Sequence, residues 1–301
     1  MDNFTVRNNI VDHPGFVAAR DAISETHLWR NQYREASGLA LVGPSGCGKS
    51  TVLKTYCDSS PVREEVTRRV IPVLYVEVPS APTVKALAEA ILMAMGALIP
   101  PGATGARLTE IIVTLVRKCG VEVIMLDEFH HFVQASKRKL VEVSEWLKGL
   151  LNRLDVSVVL CGLPSLLLVL DINQQLRRRF SRVVRLRSFS TKATDDLEVF
   201  AGVANALIRD MPLRCPVLEQ PEFLVKLQYA TGGLVDYMCK MINGAYRIAV
   251  ARRARTLDVA DFAKAFRIHI WDDVPPSRDP FHARFNGLPL TQAGEPFKEV
   301  L

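Results

Sequence analysis

Gly43-Pro44-Ser45-Gly46-Cys47-Gly48-Lys49-Ser50-Thr51 follows the apolar run Leu39-Ala40-Leu41-Val42 and precedes a helical stretch reaching Cys57. Strand, glycine-rich loop and helix in that order form the loop that cradles a triphosphate. The glycines let backbone N–H groups turn inward around the β-phosphate, and the helix N-terminus adds the positive end of its dipole. Lys49 is placed to reach the β- and γ-phosphates, and the Ser50 hydroxyl to sit on Mg²⁺. Cys47 contributes backbone only. ATP and Mg²⁺ are therefore the expected ligands, with Gly43 through Thr51 as their binding loop.

Val123-Ile124-Met125-Leu126-Asp127-Glu128 is the second decisive stretch. A continuous apolar run reads as a strand buried on both faces. Ending it in two carboxylates sets both at the sheet's carboxyl edge, where α/β ligands sit. Asp127 is expected to orient Mg²⁺ with Ser50, and Glu128 to be the base for the attacking water. His130 and His131 follow directly. No further ligands at metal-site spacing accompany them, so they read as packed or solvated side chains.

A third stretch, Gln174-Gln175-Leu176-Arg177-Arg178-Arg179-Phe180, sets permanently charged, forked guanidinium groups before an aromatic. Arg178 or Arg179 is the expected catalytic arginine that completes a neighbouring subunit's site; a solvated or nucleic-acid-facing basic surface is the alternative. Val158 to Cys161 ends another strand; it resembles the strand at whose end P-loop ATPases of the additional-strand type carry a polar sensor, a place held here by Cys161 or Ser165.

Around these stretches, strands expected near 70–78, 121–126, 156–160 and 183–186 alternate with helices near 83–98, 108–118 and 140–154. This is the pattern of a parallel sheet covered by helices on both faces. The chain divides into an N-terminal lead-in helix region (1–36), a phosphate-loop ATPase domain (37–190), an all-helical lid (191–270) and a flexible partner-binding tail (271–301). The fold class is α/β: a three-layer parallel-sheet domain followed by a helical domain. The tail reading rests on Asp272-Asp273-Val274-Pro275-Pro276 and on the lack of periodicity beyond it.

The chain has 301 residues, 49% of them hydrophobic, and six cysteines without a Cys-x-x-Cys pair. These values suit a folded protein with reduced thiols, and predict neither a disulfide framework nor a cysteine zinc site. No apolar run is long enough to span a membrane. Met1-Asp2-Asn3-Phe4-Thr5 lacks a basic region followed by an apolar one, so a bacterial cytosolic location is expected. The formal net charge of +6 is compatible with a polyanionic partner.

Taken together, Gly43 to Thr51, Asp127-Glu128, Arg177 to Phe180 and an all-helical C-terminal region resemble an AAA+ ATPase. Leu126-Asp127-Glu128-Phe129-His130-His131, Cys161-Gly162-Leu163-Pro164 and Thr231-Gly232-Gly233-Leu234 are similar to the TniB and TnsC transposition ATPases, related in role to the phage Mu B protein. The resemblance spans about residues 10 to 270. It implies an ATPase that forms rings or filaments on double-stranded DNA, with ATP between subunits, and that recruits or stimulates a DDE-type transposase, with a target-selection adaptor as a further partner. Where many AAA+ proteins carry a sensor arginine after the lid glycine, Gly232-Gly233-Leu234-Val235-Asp236 has none, which implies slow turnover. DNA contacts are expected from Lys85, beside the loop 79–83, and from Lys137, Arg138 and Lys139 on the loop after the acidic pair. Such contacts reach phosphates and are tolerant of sequence.

Rival readings are a helicase loader or insertion-sequence helper, and a STAND-type signalling ATPase. The latter usually needs long sensor domains for which 301 residues leave little room. A transporter ATPase is disfavoured by the missing Leu-Ser-Gly-Gly-Gln-like signature, and a small-molecule kinase by the paired carboxylates and late arginines.

Overall fold

The computed structural model describes residues 4–33 and 36–298. Met1 to Asn3, on which part of the N-terminal reading falls, lie outside the described residues, as do 34–35 and 299–301. The described chain clusters into two compact units. One comprises 15–33, 36–43 and 49–186; the other comprises 4–14, loop residues 44–48 and 187–298.

The first unit is built on five parallel strands: β1 (Gly38–Val42), β4 (Val73–Glu77), β5 (Val123–Asp127), β6 (Ser157–Gly162) and β7 (Arg182–Arg185). They lie in the order β4-β5-β6-β1-β7. All residues of β1, β5 and β6 are buried, as central strands with helices on both faces require. The single strand expected over 70–78 is instead two pieces. Arg63–Glu64 (β2) pairs antiparallel with Arg69–Val70 (β3), and β4 begins only at Val73. Pro72 separates them because it has no N–H to donate; its carbonyl oxygen accepts from Glu122 and Val123.

Helices α1 (Pro14–Tyr33), α2 (Lys49–Asp58), α3 (Val84–Ala94), α4 (Gly105–Lys118), α5 (His131–Ala135), α6 (Lys137–Leu151), α7 (Leu167–Ile172) and α8 (Gln174–Arg179) complete this unit. Thr83, Thr104 and Ser136 each accept a backbone N–H at a helix start and so fix where α3, α4 and α6 begin. His27 of α1 bridges Tyr56 Oη at 2.9 Å and Glu122 Oε2 at 2.6 Å, tying α1 to α2 and to the approach to β5.

The second unit is helical: α9 (Thr194–Leu207), α10 (Pro221–Thr231), α11 (Val235–Ala251) and α12 (Val259–His269). Gly232 ends α10 in the left-handed region at φ 59°, and Gly233 follows at φ 67°. A reciprocal capping box between Asp258 and Asp261 starts α12, and Arg252 clamps both carboxylates.

The expectation of a flexible tail is corrected. Residues 271–298 have no regular helix or strand, yet they are packed. Arg278 and Glu295 form an ion pair at 2.6 Å with side chains only 9% and 7% exposed. Arg278 also donates to Asn286 Oδ1 and to the carbonyl oxygen of Pro289. Phe281 lies against Phe223 and Phe266, Phe285 against Tyr229, and Phe297 against Tyr237. The aromatic residues scattered through the polar stretch supply the apolar surface that its lack of periodicity concealed.

Candidate functional site

The loop 43–48 carries the chain from β1 into α2. Gly46 and Gly48 sit at φ 77° and 97°, conformations that side-chain-bearing residues rarely hold. Nothing lies within 4 Å of the place a Cβ would take at Gly48, which leaves open space before the backbone there. Gly43 donates its N–H to the Gly162 carbonyl oxygen, anchoring the loop's start to the end of β6. Lys49 is the first residue of α2; it is only 6% exposed, and its Nζ donates to the Gly43 carbonyl oxygen at 3.0 Å. Ser50 follows, half-buried, with Thr51 exposed beyond it. Open glycine backbone, a buried ammonium and a hydroxyl on a helix's first turn form a donor set that fits a triphosphate and a hard cation.

Asp127 ends β5 and is 1% exposed. Its Oδ2 accepts from Tyr75 Oη at 3.0 Å, and its Oδ1 accepts from the Glu128 N–H at 2.9 Å. These bonds fix the carboxylate in one orientation, as a cation-positioning group requires. Burial, with the neighbouring Asp127 charge and hydrogen bond, pushes the Tyr75 phenol well above its ordinary range. The same causes push the Cys161 thiol up. Cys161 therefore stays a neutral, buried group beside Asp127.

Glu128 holds φ 57°, in the left-handed region, which costs an ordinary residue about 1–2 kcal/mol. The cause is visible in its neighbours. Phe129 donates its N–H to the Cys161 carbonyl oxygen, which pulls the chain sharply across the end of β6. Burial first, then the Asp127 charge, raises the Glu128 carboxyl above its usual value, while Lys49 and His131 oppose the rise. A carboxyl tuned upward suits a group that must accept a proton. His130 is buried next to it, and burial, with His131 and Lys49, lowers its imidazole to about 4.

The structure thus gathers Lys49, Asp127, Glu128, His130 and Cys161 at the carboxyl edge of β1, β5 and β6. Tyr75 was not singled out in the sequence. It falls in strand alternation on a neighbouring strand, and only pairing in register brings it to Asp127. His130 is packed and His131 half-buried, in keeping with their sequence reading, and both lie close to Glu128.

The arginine cluster forms the last turn of α8. Arg177 pairs with Asp171 at 3.1 Å. Arg178 is exposed and Arg179 half-buried, and both line a groove of 830 Å³ with Trp29, Tyr33 and Arg182. Burial lowers the Arg179 guanidinium's affinity for its proton, against the pull of Asp155.

One expected DNA-contact placement changes. Lys137, Arg138 and Lys139 are not on a loop; they form the first turn of α6, where Ser136 accepts the Lys139 N–H. Lys137 and Arg138 are exposed and Lys139 half-buried. Lys85 lies as expected just beyond the loop 79–83, as the second residue of α3, and is 3.8 Å from Glu89, one turn on. These groups sit on connections leaving the carboxyl ends of two paired strands, β4 and β5.

In the helical unit, Asp236 ends the stretch 232–236, which carries no arginine. Its N–H donates to the Gly46 carbonyl oxygen at 3.0 Å. Its carboxylate holds Arg7 and Lys240, each at 2.7 Å. Arg7 arrives on the short 3-10 turn Val6–Asn8, far away in sequence, which is why the motif alone could not show it.

The family model described as the bacterial TniB protein matches residues 4–190. No match is found among the curated proteins. Solved structures similar in fold include the Aeropyrum pernix ORC2 protein in ADPNP–ADP complexes, at 14% identity and a TM-score of 0.64, covering 86% of this chain and 68% of that one. Cdc6p from Pyrobaculum aerophilum aligns at 12% identity and a TM-score of 0.66, covering 89% and 70%. The Aeropyrum pernix ORC1 protein in complex with DNA aligns at 20% identity and a TM-score of 0.60, covering 85% and 65%. These likenesses show the AAA+ fold: a parallel sheet flanked by helices, with a helical C-terminal region.

Proposed function

The chain belongs to the TniB family, and we propose that it is an ATP-dependent ATPase that assembles on double-stranded DNA and engages a DDE-type transposase. The carrying observation is the buried Lys49 at the end of the glycine loop, whose charge acts on Glu128, the residue after the fixed Asp127. That arrangement has a use in holding and cleaving a triphosphate.

Mg²⁺ supplies charge neutralisation of the phosphates when bound, and Ser50 with Asp127 would hold it. Lys49 and the N–H groups of Gly43 to Ser50 bind and orient the phosphates. Glu128 takes the proton from the attacking water, at a carboxyl already raised toward that task. Arg178 or Arg179 of a neighbouring copy meets the phosphate charge, so nucleotide occupancy favours a ring or filament. Tyr75 and Cys161 keep Asp127 in place.

The DNA reading is supported by the family and by the exposed cations Lys85, Lys137 and Arg138, with Lys139 beside them. A structural relative solved in complex with DNA is consistent with it. Contacts of this kind go to the backbone, so affinity should fall steeply with salt. A target-selection adaptor is the further partner the family implies. Among the described residues no helix is long and apolar enough to cross a membrane.

Co-sedimentation with random duplex DNA tests the nucleotide and DNA parts of this reading. With ATP and Mg²⁺ the wild-type chain should pellet with DNA, and added salt should release it. Lys49→Ala should lose nucleotide binding and pelleting together. Glu128→Gln should keep both while turnover falls by about 10²-fold or more. A chain that ignores DNA when saturated with ATP and Mg²⁺ would overturn the DNA part. Normal turnover in Glu128→Gln would move the base elsewhere.

A further inference from the structure

The turn after β5 brings three metal-ligating side chains together. Glu128, His130 and His131 each offer one ligand atom, and those atoms all lie within 4.8 Å of one another. The His130 side chain is 7% exposed, and its Nδ1 lies 3.1 Å from Glu128 Oε2. Even so, Nδ1 is the buried side-chain polar atom that lacks a hydrogen-bond partner among the described residues. Leaving such a group unsatisfied costs about 1–3 kcal/mol. The close, unbonded approach of a ring nitrogen and a carboxylate oxygen suits two ligands of one cation. Ligand bonds of about 2.0–2.2 Å put the ligands of a tetrahedral site a little over 3 Å apart.

His131 is oriented in keeping with this. Its Nδ1 lies 3.2 Å from the Val78 carbonyl oxygen, which can only accept. Nδ1 therefore carries the hydrogen and Nε2 carries the lone pair. A backbone carbonyl behind the ring is the usual support of a metal-bound histidine. Only a glycine at 162 lets the ring take this position, since a Cβ there would fall 2.9 Å from His130 Nδ1. Two imidazoles and one carboxylate match a borderline cation; Mg²⁺, which demands oxygen ligands, is poorly matched.

We propose that Glu128, His130 and His131 form a binding site for a divalent first-row transition cation of the zinc class, separate from the Ser50–Asp127 magnesium position. Its occupancy ties up the Glu128 carboxylate and so slows ATP hydrolysis while nucleotide stays bound. This consequence rests on the proposed role of Glu128 as base; the site itself does not.

The test uses the full, untagged chain, stripped with a chelator and free of nucleotide, titrated with Co²⁺ and read by visible absorption. One Co²⁺ per chain should bind with the intense bands of a four- or five-coordinate ion, be displaced by stoichiometric Zn²⁺, and resist excess Mg²⁺. His131→Ala and Glu128→Gln should each weaken binding about tenfold or more at an unchanged melting temperature. His130→Asn serves as a third variant, replacing the buried ring with a polar group of smaller size. Weak pale bands competed by Mg²⁺, or wild-type affinity in these variants, would overturn the proposal. Separately, Zn²⁺ added to the Mg²⁺–ATP reaction should slow turnover reversibly without displacing nucleotide. A chain that binds Co²⁺ as described but never hydrolyses ATP would refute the ATPase reading and leave the metal site standing.

Discussion

Asp127 shows how a single position is made ready for chemistry. Two carboxylate oxygens meet two donors, the Tyr75 hydroxyl and the Glu128 N–H, so the group cannot rotate freely. Tyr75→Phe removes one of those donors from a buried carboxylate. The ATPase reaction should then need several-fold more Mg²⁺ for half-maximal rate, with the maximal rate less affected; a magnesium titration of turnover checks this. Gly233 is the other residue with little freedom. It holds φ 67°, and a Cβ there would fall 2.0 Å from the Phe189 carbonyl oxygen. Gly233→Ala adds left-handed strain of about 1–2 kcal/mol to a backbone collision, so thermal unfolding should begin markedly earlier. An unchanged melting temperature would mean that the Phe189–Gly233 contact is not maintained in solution.

At the scale of elements, the boundaries follow local chemistry closely. Thr83, Thr104 and Ser136 cap α3, α4 and α6, and Asp258 with Asp261 boxes the start of α12. Ser136 also explains why Lys137 to Lys139 are helical: capping makes the next residue the start of a turn. The segment 271–298 behaves differently, since it has no periodic element and is held by aromatic contacts and by the buried Arg278–Glu295 pair. Phe297 is 1% exposed and covers Gly232. Phe297→Ala should cost about 3–5 kcal/mol of unfolding free energy, as for other buried aromatics. Denaturant melts of the two proteins measure it, and a change within error would return the segment to the status of a loose tail.

For the molecule as a whole, acid sensitivity follows from its paired carboxylates. Burial alone would raise Glu122, Asp236, Asp261 and Glu295. Bonds and charges from Asn31 and His27, from Lys240 and Arg7, from Arg252, and from Arg278 outweigh that effect and hold all four below their ordinary values. A carboxylate lowered in the folded state contributes stability above its unfolded value. That contribution disappears as pH falls through the folded value, because the unfolded chain then binds more protons. The melting temperature should accordingly fall steeply below the ordinary carboxylate range, about pH 4. A series of thermal melts from pH 7 to pH 3 tests the sign, and a melting temperature that held steady would contradict it.

The residues themselves determined the phosphate loop, the strand ending in Asp127-Glu128, the alternation of strands and helices, and the arginine cluster. Each is encoded in a contiguous run, where spacing and residue type carry the signal. Tyr75 on Asp127, Arg7 on Asp236, and the ring of His130 beside Glu128 and Gly162 were decided only by tertiary structure. So was the packing of 271–298, whose polar and proline-rich composition conceals four well-placed apolar side chains, Phe281, Phe285, Leu290 and Phe297. The physical reason is that none of these contacts is set by residue spacing alone. Most of these contacts join residues far apart in the chain, and His130 meets Glu128, its near neighbour, only through the strained turn at Glu128; strand register, turn strain and burial bring them together where no local pattern can record them.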